Sequence, residues 1–439
     1  SHEVKENETI ENIQFYKSLE LNYLLSTFQL TEACELKTNL TESKIELSDF
    51  LLEKTDIFCL LIDGKISESE LFNSLLLETE IKTDQYFQNL YSYMVNNDSE
   101  SENINLILSD NYSPNLIFLY SAMLRISELP LSEKFLQIDP NNLSIPVILS
   151  SATEMSTRLK AANKSYLNNI ISIESLSALY QSADFSSEQL NKPENTKLSL
   201  NNDIESMMAF YYQLANVQIF PSQRLEVILD YWDFATKQGL ERVAYGLTNN
   251  IISSLEPTIE NASYGSKIAK AHIYNNNFES ALKWMIFYEN SSEDKNDLKQ
   301  IEFLLDLYQS NEIITITNYL KTNLKIFENE SSENIKELIY VILNTLDNNI
   351  NNHINVEQDK IFDIRLMPSI SLTSLINKNI ESEDDLNLFL ITLVSLNDKN
   401  WIDLHPLHLE LILESFKKYN NSLLFKSLII EILNSSQIL

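Results

Sequence analysis

Apolar residues recur along this chain at spacings of three and four, and strict alternation over six or more residues is scarce. The first pattern lines one face of a helix, whereas the second would line one face of a strand. Between Ser206 and Phe220, the residues Met207, Phe210, Tyr211, Leu214 and Val217 form one stripe, while Glu205, Gln213 and Asn216 fall off it. Similar stripes run from Ile13 to Phe28, Leu71 to Leu77, Phe87 to Val95, Leu116 to Ile126, Leu225 to Ala235, Ile301 to Tyr308, Ile335 to Leu346, Leu386 to Leu396 and Leu407 to Phe416. Each predicts an amphipathic helix, and the loops between them are short and polar. Ser222, Ser332 and Ser382 precede polar residues at the heads of stripes and predict helix starts; Gly239 and the asparagine pairs predict stops.

Two stretches break the pattern. Asn96 to Pro114 is polar and acidic and reads as a long connector. Pro130, Pro140 and Pro146 interrupt the next stretch, so no regular helix runs through it, and the main organisational break falls there. A lesser irregular segment runs from Phe185 to Asn202 around Pro193. The organisation expected is therefore helical hairpins over residues 1–95, an acidic and Pro-interrupted connector with one helix over 96–147, and a longer helical array over 148–439.

Composition narrows the class further. Four glycines and nine prolines in 439 residues are too few for the turns of a many-stranded sandwich or for glycine-rich phosphate loops. With 44% hydrophobic and 22% charged residues the chain has the make-up of a folded protein. Its net charge of −31 repels polyanions and argues against nucleic acid as a partner. No run of 18 apolar residues occurs, the longest candidate being interrupted by Asn387, Thr392 and Ser395, so no membrane-spanning segment is expected. The opening Ser1-His2-Glu3 reads as a tag scar or as a mature N-terminus after cleavage of a leader. Asparagine is abundant and often paired, as at Asn249-Asn250; it reads as a compositional bias that serves helix ends and left-handed turns, not as a glycosylation pattern. Two cysteines, Cys34 and Cys59, are compatible with one disulfide in an oxidising compartment or with two buried thiols in the cytosol.

One segment stands out for self-similarity. In Ser266 to Tyr288, Ala269 and His272 lie on one predicted helix, Asn275-Asn276-Asn277 makes a turn, and Phe278, Ala281, Met285 and Tyr288 lie on the next. Small residues such as Ala281 let two antiparallel helices approach closely. The skeleton recurs around Leu30 and Ala33, and again around Ile66 and Ser69 after Gly64; Ala33 and Ser69 are 36 residues apart. In these features the chain resembles tetratricopeptide-type helical repeats, although that family's large Trp, the Gly beside it and the closing Pro are absent from all three segments. The resemblance implies an all-α fold of stacked antiparallel helix hairpins, a tetratricopeptide-like α-solenoid. It also places Cys34 on the second helix of one hairpin and Cys59 on the first helix of the next, which implies a bridge between neighbours. That arrangement is similar to exported bacterial helical-repeat proteins and implies a periplasmic or secreted location, with the cytoplasm as the alternative.

Candidate chemistry is sparse. His405 and His408, with Asp403 and Glu410 nearby, form the one cluster that resembles metal ligands, but HExxH, His-triad and Cys-His spacings are missing. Pro406 suits the first turn of a helix, so His405 reads as a cap and His408 as a solvated first-turn residue. His272 reads as a packed core histidine, His353 as an exposed loop residue and His2 as a tag remnant. Carboxylates are too frequent to be informative, and no GxSxG elbow or CxxC pair occurs. No catalytic residue, metal or cofactor is expected. Aromatic residues concentrate at Phe210-Tyr211-Tyr212, Tyr231-Trp232-Phe234 and Trp284-Phe287-Tyr288, and most belong in a core at this spacing. Surplus rings on a concave helical face would make a peptide groove, with Tyr212, Tyr231 and Trp232 the first candidates. The expected function is a non-catalytic scaffold for protein–protein interaction, with a basic partner favoured by the acidic field. The alternatives are an enzyme using His405 and His408, and a helical envelope module that binds a small solute.

Overall fold

The computed structural model describes residues 10–96, 108, 112–291, 298–309, 314, 316–322, 333–346, 365–382, 385–397, 399–418 and 422–436. The fold is all-α, and the chain divides after Ser254 into two compact units.

In the first unit the helices are α1 (Ile10–Ser26), α2 (Leu30–Glu42), α3 (Leu51–Ile62), α4 (Ile66–Thr79), α5 (Gln85–Asn96), α6 (Ile117–Ile126), α7 (Glu133–Ile138) and α8 (Ser144–Leu149). They continue as α9 (Met155–Leu167), α10 (Ile173–Gln181), α11 (Ser187–Asn191), α12 (Pro193–Ser199), α13 (Ile204–Val217), α14 (Pro221–Lys237) and α15 (Glu241–Ile252). Many helices pack on their sequence neighbours, α1 on α2, α2 on α3, α3 on α4, α8 on α9, α13 on α14 and α14 on α15, while α1 also packs closely on α6 and α9 on α13. Consecutive packing of this kind is the contact pattern of stacked hairpins.

The proline-rich stretch holds two short helices inside this unit, where the sequence pattern placed the main break. Pro146 is the third residue of α8, a position whose N–H has no partner within a helix, and Pro130 and Pro140 lie outside the helices. One hydrophobic cluster joins Leu21, Leu25, Phe58 and Phe87 to Tyr120, Met123, Phe135 and Val147. At its centre α6 buries Ile117 and every residue from Leu119 to Leu124. Residues 97–107 and 109–111, most of the predicted acidic connector, lie outside the described residues. The segment around Pro193 likewise forms α11 and α12; Ser186 and Gln189 build a reciprocal capping box, and Pro193 opens α12. Pro221, not Ser222, opens α14, for the same reason that Pro suits a first helical position. Ser382 is the last residue of a helix in the second unit, and Ser332 lies outside the described residues.

With so few glycines, the turns between helices are closed by other residues. Phe28, Lys44, Gly64, Glu128, Asn169, Gly239 and Asn276 all have positive φ and follow the end of a helix. In each case the next N–H reaches back to a carbonyl of the last turn, as in Lys65 N to Leu60 O at 2.9 Å and Asn277 N to His272 O at 2.8 Å. Only Gly64 and Gly239 among them lack a Cβ, so five of these turns carry the left-handed penalty of an ordinary residue.

The second unit contains α16 (Gly265–Tyr274), α17 (Phe278–Ser291), α18 (Leu298–Gln309), helical residues 316–322, α19 (Glu333–Leu346), α20 (Ile370–Ser382), α21 (Asp385–Leu396), α22 (Pro406–Lys418) and α23 (Ser422–Ser435). Helices α16 and α17 form the antiparallel hairpin that the sequence placed there, with Ala269 and Ala281 fully buried. A second close approach lies at the start of α16: a Cβ on Gly265 would fall 2.8 Å from Tyr288 Cβ. Helix α19 packs on α22, and Leu338, Ile342, Ile412, Leu413, Phe425 and Ile429 share one core.

Candidate functional site

The three aromatic residues read as a groove are part of the interior. Tyr231 and Trp232 are buried at 0% and 2% exposure, and Tyr212 is buried beside them. Trp232 donates its Nε1–H to Thr248 Oγ1 at 3.0 Å and meets Tyr245 edge to face. Tyr212 shares a hydrogen bond with Ser177 at 2.5 Å, and Tyr211 stacks on Tyr231. Their surplus over a minimal core is taken up by packing α13 against α14 and α10, so none of the three presents a ring to a partner.

The histidines also have structural places. His405 precedes α22 and accepts the Leu407 N–H at Nδ1, a capping contact over 3.2 Å. His408 is fully buried, not solvated. Its Nδ1 lies 3.1 Å from Leu366 O and its Nε2 3.1 Å from Ser395 Oγ. A carbonyl only accepts, so Nδ1 carries the proton and donates to Leu366 O, while the Ser395 hydroxyl beside Nε2 also lies 2.7 Å from Thr392 O, to which it donates. Leu366 also pairs with Leu404 in an isolated parallel bridge, so His408 ties that bridge to α21. Burial holds the His408 pKa below the usual histidine value. Asp403 and Glu410 are exposed while His408 faces inward, and no group of three metal-ligating side chains occurs among the described residues. His272 is buried in α16, and burial lowers its pKa to about 4. His2 and His353 lie outside the described residues.

Cys34 on α2 and Cys59 on α3 are joined by a disulfide, with their Cα atoms 5.8 Å apart. The bridge ties α2 to α3, two of the helices around the region where open space and charge coincide. Helices α2, α3 and α4 enclose a groove of about 380 Å³, lined by Thr41, Phe50, Leu52, Phe72, Leu75 and Leu76, with Glu53 and Asp56 at its edge. Phe72 and Leu75 of that lining are exposed, the latter at 51%, and so is Leu71 one turn before Leu75 on α4. Phe50 and Thr79 also line a second cleft of about 480 Å³, on whose floor lie Lys54, Glu80, Asp84 and Tyr120.

That floor is a buried ionic network. Lys54 Nζ lies 2.8 Å from Glu80 Oε1 and 2.8 Å from Asp84 Oδ2, with Lys54 only 2% exposed. Tyr120 donates its hydroxyl to the same Asp84 Oδ2 at 2.5 Å, and Asp84 Oδ1 accepts the Phe87 N–H at the head of α5. Burial first, and then the Asp84 carboxylate, push the Tyr120 phenol far above its ordinary range, so it remains a neutral donor. Satisfying each carboxylate oxygen in this way is what makes a buried ammonium tolerable. The two backbone positions beside the cleft are unusual: Asp49 and Phe50 are consecutive non-glycine residues in the left-handed region. Asp49 is held there by Ser113 and Asn115, which donate to its Oδ2 at 2.8 and 2.6 Å. Consecutive strained residues persist only where surrounding bonds fix them.

These residues escape a reading of the sequence because Lys54, Asp84 and Tyr120 stand 30 and 36 positions apart with no linking motif. The available signal was a lysine four residues before Phe58 on the apolar stripe of α3. Comparison with protein-family models, with characterised proteins and with solved structures finds no match to the chain.

Proposed function

We propose that this chain is a non-catalytic protein-binding scaffold that receives an apolar segment of a partner in the groove between α2, α3 and α4. The observation that carries the reading is the groove itself, which stands open beside exposed Leu71, Phe72 and Leu75 on one face of α4. Exposed apolar side chains bordering a concavity are the usual mark of an interaction surface. Asp56 in the groove lining is paired with Lys37, but acidic Glu53 beside it, within a chain of net charge −31, favours a partner that carries Lys or Arg among its apolar residues. The hairpins α1–α2, α3–α4 and α16–α17 support the further reading that the chain is a tetratricopeptide-like repeat protein. The disulfide supports export to an oxidising compartment, where such bridges persist.

The test is a selection of displayed random peptides on the immobilised full chain. Enriched peptides with recurring apolar anchors are expected, and Leu75→Glu should weaken them by roughly tenfold or more, because it places a charge in a desolvated contact. Leu75 is exposed, so the variant folds; its melting curve checks this. A selection without enrichment, or peptides indifferent to Leu75→Glu, would overturn the proposal.

A further inference from the structure

The groove and the cleft are neighbours that share Phe50 and Thr79, so a segment lying in one reaches the other within a few residues. Their chemistry differs. The groove is walled by leucine and phenylalanine, whereas the cleft combines the rings of Phe50, Tyr86 and Tyr112 with the carboxylates of Asp49, Glu80 and Asp84. Lys54 is the one ammonium at the bottom, held between Glu80 and Asp84. The Asp49 carboxylate accepts hydrogen bonds from Ser113 and Asn115, both neutral. With Lys82 exposed, the described residues that line the cleft carry three carboxylates against two ammonium groups. An aromatic, acidic cleft whose exposed Asp49 carboxylate has no ion-pair partner among the described residues is complementary to an organic cation, through ring faces and through charge.

We infer that this cleft takes the Lys or Arg side chain of the segment whose apolar side chains occupy the groove. The inference rests on the proposed function and adds the specificity that such a partner must meet. The cationic head meets Asp49, the aliphatic stem lies along Phe50 and Tyr112, and the Lys54 network forms a floor that the cation does not displace. Asp49 and Phe50 are both in the left-handed region; Asp49 lines the cleft alone, whereas Phe50 lines both the cleft and the groove. A segment with an acidic residue at this place would face Glu80 and Asp84 and be rejected.

The peptides enriched on the wild-type full chain serve as the probe. A Lys or Arg is expected within a few positions of the apolar anchors. Replacing it by Gln in the best peptide should weaken binding roughly fivefold, and Asp49→Asn should do the same. Asn keeps the side-chain acceptor and tolerates the left-handed backbone, so the fold survives this exchange. Combining the two changes should cost little more than either alone, since both remove one interaction. Peptides lacking a basic residue, or two effects that simply multiply, would overturn the inference while leaving the groove intact if Leu75→Glu still abolishes binding. Loss of enrichment, or indifference to Leu75→Glu, would instead remove the groove and the inference together.

Discussion

Single residues in this protein are placed by needs that their neighbours in sequence do not reveal. Phe28 is a bulky residue with positive φ, and the tolerance is explained by Arg125, whose guanidinium lies 4.1 Å from the ring centroid and donates to Ser26 O at 3.1 Å. The same side chain thus covers the strained ring and caps the end of α1. His272 is the converse case, a polar residue kept in a core where its Nδ1 finds no partner among the described residues. An unfolded histidine takes up a proton near pH 6.5, whereas His272 does so only at about pH 4. The stability that this neutral histidine permits is therefore fully present above pH 6.5 and is lost as the pH falls from 6.5 towards 4, where the unfolded chain binds the proton first. Melting curves over that range should fall by about 1–3 kcal/mol in the second unit on this account. His272→Leu should flatten the acid limb, with a residual slope from His408, whose pKa is lowered in the same way. An unchanged acid limb would rule His272 out as its source.

Elements behave more regularly. The antiparallel hairpin α16–α17 follows from small residues at its seam, and its turn is closed by Asn276 in the left-handed region. Residues α4 and α5 are tied by a reciprocal amide pair between Asn73 and Gln88, at 2.9 and 2.8 Å, which fixes how the second hairpin meets the next helix. The covalent tie between α2 and α3 acts at the same scale. Cys34 and Cys59 are separated by 25 positions, and closing a loop of that length removes enough unfolded-state entropy to stabilise by roughly 3 kcal/mol. Reduction of the folded protein, or Cys34→Ser, should lower the stability of the first unit by about that amount. The native chain unfolded without reductant should show no reactive thiol, and finding two would refute the bridge.

At the scale of the whole molecule the dominant quantity is charge. Thirty-two basic residues against 63 acidic ones leave −31, and some of the basic residues are committed inside, as Lys54 is between Glu80 and Asp84. The folded chain therefore works against its own repulsion, which salt screens over a Debye length of about 10 Å at 0.1 M. Raising the salt from low ionic strength to about 0.5 M should raise the melting temperature by a few degrees while weakening any basic peptide bound at the cleft. Stability that falls with salt would show that ion pairs outweigh the general repulsion. The opposite signs of these two effects separate folding from binding in one titration.

Helix content and the hairpin at Ser266 to Tyr288 were legible in the sequence, because a helix needs only contacts three and four positions away. The pattern failed where partners are distant. Prolines at 130, 140 and 146 looked like a boundary, yet residues on both sides enter one core, and only packing decides that. Tyr231 and Trp232 looked available because a periodic stripe does not say which of its sides is covered. Lys54 becomes a feature only when Glu80 and Asp84, in the loop between α4 and α5, arrive beside it on α3, an encounter written in no local run of residues. Local periodicity chose the elements; burial and long-range charge pairing, which depend on chain segments that meet only after folding, chose the site.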